Sequence, residues 1–431
     1  MSPKIKFLPN TDLTTGYLPL KHHHTRLPLG AWVFALILIA SRVLQPPITN
    51  AKKALPCLNG ITSTDAFLVA DPDGRILYKK NERRKCTPAS TLKILTALAA
   101  IHHLGRSYKY PTEFYTDTSK NLKVKGYGDP LLISEVLREI ADILAKKIGK
   151  FNDLVLDDTY FSRDIKTPWA GHSTNPYDAP VGALCANFNT IFFDRDQQGR
   201  IVSAEPQTPM IPFVRKSIRS LGLERGRYTF THDRGDAARY AGKLLLHFLR
   251  EKGVDNQNNV RLGSVGPGDR LLYTYRSRFT LEQVLKKMME FSSNFMANQI
   301  FISLGAQIYG PPGTLAKGVR VVSDYAKNEL QLAGFEIVEG SGISRENRIS
   351  ALHMLTILRH FSPYRHLLNR KHNVLYKTGT LSGVRTRAGY IEKQPDQPYC
   401  FVIFLNRSGS DVDALMACLS QAISTNDSKG R

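Results

Sequence analysis

Hydrophobic residues recur along this chain with spacings that change from segment to segment, and each spacing predicts a type of element. Two short apolar runs, AFLVA and RILYK, flank the turn Asp71-Pro72-Asp73-Gly74 and predict a β-hairpin from Thr64 to Lys79. In the run STLKILTALAAIHHLG the apolar residues follow a helical period. We therefore expect a helix that begins near Ser90 and ends at Gly105.

From about residue 108 to residue 270 the pattern becomes mixed. Short strand-like pieces, namely NLKVKG, DLVLDD, NTIFF and RIVSA, alternate with loops rich in Pro, Gly and Asp. Two helices are predicted within this stretch, at Ser134–Ile148 and Asp236–Lys252. The change of pattern predicts an inserted region of one or two small lobes at 108–270.

Beyond residue 270 the predicted elements are longer. The apolar face of a helix at Thr280–Glu290 is expected to be ordinary core. The other predicted elements are helices at Thr314–Leu332, Ser350–Phe361 and Asp413–Ile423, and strands near Val374–Tyr376, Ala388–Ile391 and Tyr399–Leu405.

The N-terminus carries a targeting pattern. A basic segment at 21–26 precedes an uncharged run of 15 residues, Leu27–Ser41. A membrane-spanning helix needs about 20 residues, so this length fits a secretory signal somewhat better than an anchor. Residues 1–51 are therefore predicted to be either a signal peptide cleaved after Ala51 or an N-terminal anchor at 27–44. Both alternatives place the body of the protein outside the cytoplasm, in the periplasm.

The amino-acid composition indicates which classes of partner the protein can bind. The 431 residues are 42% hydrophobic and 22% charged, as in globular proteins. Lys+Arg 59 against Asp+Glu 37 gives a net charge of +22, which favours an anionic membrane or cell-wall surface. The positive charge is spread along the chain without a basic arm, so no nucleic-acid partner is predicted. The cysteines lack a CxxC pair and are expected to be buried small hydrophobes; they are Cys57, Cys86, Cys185, Cys400 and Cys418.

The pair Ser90 and Lys93 forms an S-x-x-K motif at the predicted start of a helix. Residues three apart on a helix share a face, so the two side chains can meet. A serine hydroxyl becomes a good nucleophile when a base takes its proton, and a neutral lysine can be that base. Such a lysine needs a pKa about 3 units below its usual value, to which burial and a neighbouring cation both contribute.

Two further motifs follow along the chain. Ser292-Ser293-Asn294 is an S-x-N motif directly after the apolar helix at Thr280–Glu290, and Lys377-Thr378-Gly379 lies in the strand-like run VLYKTGT. Other S-x-N matches begin at Ser119, Ser173 and Ser424, but none of them both follows an apolar helix and precedes the Lys-Thr-Gly strand. The order and context of the three motifs therefore indicate one site.

S-x-x-K, S-x-N and K-T-G in this order are the signature of the penicillin-binding proteins and serine β-lactamases, which this sequence resembles. Lys93 and Ser292 are 199 positions apart. Such a long insertion is similar to the low-molecular-mass class C penicillin-binding proteins, the D-alanyl-D-alanine carboxypeptidase/endopeptidase (DacB-like) family. Further family-like stretches are GYGDP (126–130), NPYDAPVGALCANFN (175–189), FSSNFMANQI (291–300) and EGSGISRENRIS (339–350). Ser293 departs from the family pattern, in which an acidic residue or glycine is common.

The resemblance implies an α/β (α+β) fold. A β-lactamase/transpeptidase-like domain with an antiparallel sheet flanked by helices would consist of residues 60–107 and 271–425, interrupted by the inserted region at 108–270. It also implies a penicillin-sensitive serine peptidase that acts on peptidoglycan stem peptides through an acyl-enzyme, with no metal or cofactor. β-Lactam antibiotics would be its covalent inhibitors.

The resemblance also implies roles for individual residues. Ser90 would be the nucleophile and Lys93 the acylation base. Ser292 and Asn294 would transfer the leaving-group proton and hold the substrate amide. Lys377 would attract the terminal carboxylate, with help from the hydroxyls of Thr378 or Thr380, while Gly379 completes the motif. The backbone N–H groups of Ser90 and Thr380 would bind the oxyanion.

Two other functions remain open at this point. A serine β-lactamase uses the same acylation residues, but the deacylation motif E-x-x-L-N is not found and the long insertion argues against this class. A catalytically silent peptidoglycan-binding protein is the other alternative, and the intact motif side chains argue against it. The balance between carboxypeptidase and endopeptidase activity is not determined by the sequence.

Overall fold

The computed structural model describes residues 55–168, 171, 173–257, 259–394 and 397–425. The predicted leader or anchor, residues 1–51, lies outside the described residues. The helices within them are α1 (Lys93–Leu104), α2 (Ser134–Ala145), α3 (Pro212–Ser220), α4 (Arg234–Glu251), α5 (Leu281–Glu290), α6 (Asn294–Tyr309), α7 (Leu315–Asn328), α8 (Ala351–Phe361) and α9 (Val412–Thr425).

The strands, numbered in chain order, contribute to four sheets. They are β1 (Ala66–Ala70), β2 (Ile76–Lys80), β3 (Pro111–Thr116), β4 (Leu122–Gly126), β5 (Lys150–Phe151), β6 (Leu154–Asp157), β7 (Thr190–Arg195), β8 (Ile201–Ser203), β9 (Gly226–Thr229), β10 (Asp255–Asn256), β11 (Val260–Leu262), β12 (Arg270–Arg276), β13 (Asn369–Lys371), β14 (Val374–Leu381), β15 (Val384–Glu392) and β16 (Pro398–Leu405).

The largest sheet is antiparallel and has the strand order β13-β14-β15-β16-β1-β2. Every residue of β1 is buried, which fits a strand covered on both faces. One face packs against α8, and α1, α5, α6 and α7 complete the hydrophobic cluster on that side; the other face packs against α9. This arrangement confirms the predicted mixed fold with an antiparallel sheet flanked by helices.

The strands between residues 111 and 276 form three other sheets. The five-stranded sheet has the order β11-β6-β4-β3-β12, in which β4, β6 and β11 run parallel. Helices α2 and α4 connect these parallel strands and pack on each other over a separate hydrophobic cluster. Strand β12 belongs to this sheet because it pairs with β3, although residues from 271 onward were assigned to the transpeptidase-like segment.

Helix α6 was not predicted, and the reason is its burial. Every residue from Phe295 to Ala306 is buried, so the sequence lacks the alternation of polar and apolar positions that identifies a surface helix. Helix α3 was also missed, since its short, polar sequence lies in a segment interpreted as loop. The predicted helix at Ser90 begins instead with a 3₁₀ turn, Ala89–Leu92, and continues as α1.

The expectation that the cysteines are buried small hydrophobes is wrong for two of them. Cys57 and Cys418 form a disulfide across 361 positions of the chain, between the N-terminal 3₁₀ turn Pro56–Gly60 and α9. Sequence spacing could not show this pair, because only the folded chain brings the two ends together. The other three, Cys86, Cys185 and Cys400, are buried free thiols as expected.

Replacing both disulfide cysteines, as Cys57→Ser with Cys418→Ser, is expected to lower the free energy of unfolding by about 2–4 kcal/mol, because the link closes a very long loop in the unfolded chain. Denaturant unfolding with and without reductant measures the difference. The matched control is Cys86→Ser with Cys400→Ser, which keeps the disulfide and should lose as much stability in reductant as the wild type does, whereas the variant without Cys57 and Cys418 should not respond to reductant. An equal reductant effect in both variants would contradict the prediction.

Among the described residues, no helix combines the length and the apolar character needed to cross a membrane.

Candidate active site

Ser90 and Lys93 meet at the start of α1. In the 3₁₀ turn Ala89–Leu92, side chains three residues apart eclipse each other. The Nζ atom of Lys93 accordingly lies 2.9 Å from Oγ of Ser90. Ala89, just before the serine, has a φ of +48°, in the left-handed region that residues other than glycine rarely adopt. Backbone strain of this kind is often found at functional sites.

Lys93 is completely buried, and three atoms surround its amine. Besides Ser90 Oγ these are Oδ1 of Asn294 at 2.9 Å and the carbonyl oxygen of Ser341 at 2.7 Å. The amide oxygen and the carbonyl can only accept hydrogen bonds. A neutral amine can donate its two N–H groups to them and direct its lone pair toward the Ser90 hydroxyl. This is the geometry that a general base requires.

The electrostatic surroundings favour that neutral amine. Burial lowers the pKa of Lys93 well below its usual value, and the positive charge of Lys377 lowers it further. The Glu339 carboxylate opposes these effects and raises the pKa of Lys93. The neighbouring cation that the sequence analysis called for is therefore Lys377, although burial is the larger cause of the lowered pKa of Lys93.

The S-x-N motif lies between α5 and α6. Ser292 has a φ of +51°, and its Oγ accepts a hydrogen bond from Nζ of Lys377 at 2.8 Å. Ser293 is the N-cap of α6, because its side chain accepts from the backbone N–H of Met296. Asn294 is the first residue of α6. The residue that departs from the family pattern thus stabilises the helix that carries Asn294.

Lys377 lies on β14 and is buried beside Ser292. Its amine also donates to the carbonyl oxygen of Thr378 at 2.9 Å, and burial lowers the pKa of Lys377 to about 8. It therefore keeps its charge at neutral pH, and that charge is one of the causes that lower the pKa of Lys93. The two lysines can consequently perform different tasks, one as a base and one as a fixed cation.

Gly379 allows β14 to pass close to the serine. A Cβ atom at this position would lie 2.9 Å from the backbone nitrogen of Ser90 and 2.2 Å from Oγ1 of Thr386, so a side chain cannot be accommodated. Thr378 and Thr380 flank this glycine and are exposed. Strand β13 pairs only with residues 374–376, so this edge of β14 has no strand partner from Lys377 onward among the described residues. A peptide could add as a strand there.

The sequence did not identify Glu339, Ser341 and Gly342 as part of the site. EGSGISRENRIS was noted only as a family-like stretch, yet its Ser341 carbonyl contacts Lys93. Two glycines in four residues were a signal of close backbone packing. Gly342 has a φ of +82°, and a Cβ atom there would lie 1.9 Å from the carbonyl oxygen of Ala89.

The structure brings all the predicted site residues into one region. Lys93 connects Ser90 with Asn294, Lys377 contacts Ser292, and Gly379 adjoins Ser90. The arrangement can activate a hydroxyl, hold a negative group and supply a proton to a leaving group. In the part of the chain that the structure describes, no group of three or more His, Cys, Asp or Glu side chains could hold a metal ion.

Comparison with protein families gives two matches. The model of the D-Ala-D-Ala carboxypeptidase 3 (S13) family matches residues 59–220 and 224–368. The model of the β-lactamase enzyme family matches residues 328–426. The first match includes Ser90, Lys93 and Ser292, whereas the second includes the Glu339–Gly342 and Lys377–Thr380 segments of the site.

Individual proteins give concordant results. The chain is 25% identical over 385 residues to D-alanyl-D-alanine carboxypeptidase DacB of Haemophilus influenzae, covering 74% of this chain and 80% of the relative. The crystal structure of penicillin binding protein 4 (dacB) from H. influenzae covers 83% of this chain and 94% of its own, with a TM-score of 0.65 and 21% identity. A structure of that protein complexed with a novel β-lactam has a TM-score of 0.62. These structural similarities show the fold.

Proposed function

The chain belongs to the D-Ala-D-Ala carboxypeptidase 3 (S13) family and is a serine-type D-Ala-D-Ala peptidase, and from this membership we propose that Ser90 is its nucleophile. Its substrate would be the peptidoglycan stem peptide, which ends in two D-alanines. The observation that carries this proposal is the position of the buried Lys93 amine, which contacts the Ser90 hydroxyl while acceptor atoms occupy its other two directions.

The reaction begins when Lys93 takes the proton of the Ser90 hydroxyl. The Ser90 oxygen then bonds to the carbonyl carbon between the two D-alanines, and the backbone N–H groups of Ser90 and Thr380 stabilise the oxyanion. The C–N bond breaks as Ser292 gives its hydroxyl proton to the leaving amine and is reprotonated by the Lys93 ammonium, which becomes a neutral base again. An ester joins Ser90 to the remaining peptide, and water hydrolyses it to regenerate the enzyme.

Substrate binding is assigned to β14 and α6. Lys377, with the Thr378 and Thr380 hydroxyls, would bind the terminal carboxylate, and Asn294 would hold the substrate amide. The unpaired edge of β14 supports this assignment, because an extended peptide can hydrogen-bond along it. The contact between Lys377 and Ser292 supports proton transfer to the leaving group, since the fixed cation stabilises a deprotonated hydroxyl.

Digestion of purified muropeptides tests the proposed function. Monomeric muropeptides should lose their terminal D-alanine, as seen by mass analysis, and prior treatment with benzylpenicillin should block the loss. Cross-linked muropeptides in the same experiment measure the endopeptidase activity. A chain that binds both substrates without cleaving either would be the silent binding protein, and rapid turnover of nitrocefin would indicate the β-lactamase.

Lys377→Ala is expected to reduce turnover of a D-Ala-D-Ala peptide roughly 10- to 150-fold, because a charge-assisted hydrogen bond contributes about 1.5–3 kcal/mol. The defect should depend little on salt, since the contact is direct and buried. As a control, reversing the exposed Arg83 and Arg84 should leave turnover unchanged and weaken binding to sacculi in a salt-dependent way. Recovery of the Lys377→Ala variant at high salt would contradict its assigned role.

Turnover is expected to fall as the pH rises through about 8, because Lys377 then loses the proton that binds the carboxylate. On the acidic side the rate should fall where Lys93 becomes protonated, at a pH well below the usual lysine pKa. A profile of kcat/KM against pH measures both limbs. In Lys377→Ala the alkaline limb should disappear, and its persistence there would assign it to another group.

We further propose that the domain division predicted from sequence holds with one adjustment. The catalytic domain, predicted as 60–107 and 271–425, would begin its second segment after β12, because residues 111–276 form separate sheets that support an inserted region. The C-terminal border of the inserted region would lie near Ser277, because β12 pairs with β3 and the backbone N–H of Ser277 donates to the carbonyl oxygen of Tyr110 at 2.8 Å.

Export of the protein is supported by the Cys57–Cys418 disulfide, since disulfides persist in oxidising compartments. An anionic membrane or wall surface stays the predicted contact of the basic chain.

A further inference from the structure

The loop Glu339–Ser344 forms a wall of the site that none of the three motifs includes. Its Ser341 carbonyl accepts the 2.7 Å hydrogen bond from Lys93. Glu339, at the start of the loop, is completely buried. A carboxylate in the protein interior is costly unless hydrogen bonds and opposite charge compensate it. The contacts of Glu339 therefore indicate what this residue does.

Five donors surround the Glu339 carboxylate. Oε2 accepts from the backbone N–H and the hydroxyl of Ser341, at 2.7 and 2.6 Å. Oε1 accepts from the N–H groups of Gly342 and Ser344 and from the Asn347 amide, at 2.7, 3.4 and 2.7 Å. Both oxygens act only as acceptors, as an ionised carboxylate does. Glu339 thus folds the loop around itself and leaves the Ser341 carbonyl facing Lys93.

Two helices that carry site residues hold the same loop. The hydroxyl of Thr96 donates to the carbonyl oxygen of Gly340 at 2.7 Å, and Oδ1 of Asn298 accepts from its N–H at 2.9 Å. Thr96 follows Lys93 by three residues, and Asn298 follows Asn294 by four, so each lies on the same helix face as its site residue. The loop is therefore positioned from the helix faces that present Lys93 and Asn294.

We propose that Glu339 is a positioning residue for acylation, which fixes the Ser341 carbonyl against Lys93 and supplies the negative charge that favours proton transfer from Ser90 to Lys93. This inference rests on the proposed roles of Ser90 and Lys93. It extends them because it assigns part of the basicity of Lys93 to a residue outside the three motifs.

The physical reason is the charge created during the reaction. When Lys93 takes the proton of Ser90, an ammonium forms at a fully buried position near the Lys377 cation. The charged groups that face Lys93 are Lys377 on β14 and Glu339 in the loop; Ser90, Asn294 and Ser341 make neutral contacts. Of the two charges, only that of Glu339 stabilises the ammonium, and it raises the pKa of Lys93 accordingly.

Glu339→Gln in the full chain tests the charge. Without it Lys93 is a weaker base, so the maximum rate constant for acylation by a fluorescent penicillin should fall by up to about 10-fold. The acidic limb of the pH profile should also move to lower pH by about 1 unit, because the neutral lysine then persists in more acidic solution. If the variant only disturbed the geometry of the loop, the maximum acylation rate constant would fall but the acidic limb of the pH profile would stay at the same pH. An unmoved limb would overturn the proposal.

Two further variants separate position from charge. Thr96→Val keeps the Glu339 carboxylate but removes a hydrogen bond that holds the loop, so the maximum acylation rate constant should fall several-fold while the acidic limb of the pH profile stays in place. A wild-type rate constant in Thr96→Val would overturn the positioning role. This variant also tests that role if Glu339→Gln fails to fold. The matched control is Glu392→Gln, which removes a carboxylate bound by Arg365 and Arg370 beyond the Val374 end of β14 and should leave the profile unchanged. A wild-type chain that penicillin does not acylate would instead contradict the proposed function.

Discussion

The Ser90→Ala variant is expected to form no covalent complex with a fluorescent penicillin on a denaturing gel, and to cleave D-Ala-D-Ala peptides on the order of 10⁶-fold more slowly. The acyl ester needs the Ser90 oxygen, which is the hydroxyl in contact with the Lys93 base. The hydroxyl of Ser292 contacts Lys377 instead, so it should not replace Ser90. Loss of one oxygen atom should leave the thermal unfolding midpoint close to that of the wild type.

Ser119→Ala is the matched control for this variant. Ser119 is exposed and starts one of the other S-x-N matches, so its replacement should change neither labelling nor turnover. Undiminished labelling of Ser90→Ala would show that another residue is the nucleophile. If Ser90→Ala were labelled normally by penicillin but no longer cleaved the peptide, penicillin and peptide would react at different residues. That result would contradict the proposal that both acylate Ser90.

Lys93→Arg is expected to slow acylation by two to four decades, the approximate contribution of a general base. The guanidinium stays protonated at all relevant pH values, so it cannot take the Ser90 proton. In the structure the lysine amine has acceptor partners at 2.7 and 2.9 Å and the serine hydroxyl in its remaining direction. Stopped-flow acylation with a chromogenic β-lactam measures the rate.

Lys93→Met accompanies this variant because arginine is larger than the buried site. Methionine removes the base without adding charge, and both variants should show similarly slow acylation if proton transfer is the cause. Lys85→Arg, at an exposed position, is the control and should acylate at the normal rate. A change of less than about threefold in both Lys93 variants would assign the base to another group.

The sequence was sufficient to identify the protein family, and the match of the family model to residues 59–220 and 224–368 confirms this identification. The reason is that the three motifs are short and their chemistry resides in side chains. The elements around them were predicted where their pattern is amphipathic, as for α2 and α5. Helix α6 was missed because it is buried on all sides, although it carries Asn294 and Asn298. Burial therefore hid the element that contributes most to the middle of the site.

By itself, the sequence determined the residue types of the site, their order and the local pair Ser90–Lys93. A contact between residues three apart follows from the geometry of one helical turn, so no knowledge of distant segments is needed.

Only the tertiary structure decided which atoms of distant residues contact one another in the site, and only it added Ser341. Asn294 is 201 positions from Lys93 and Ser341 is 248 positions away, yet both contact its amine. The disulfide joins residues 361 positions apart. The basicity of Lys93 is decided in the same way, because burial, the Lys377 cation and the Glu339 carboxylate all come from the packing of separate segments. A lysine's protonation depends on what surrounds its amine, and local sequence does not specify those surroundings.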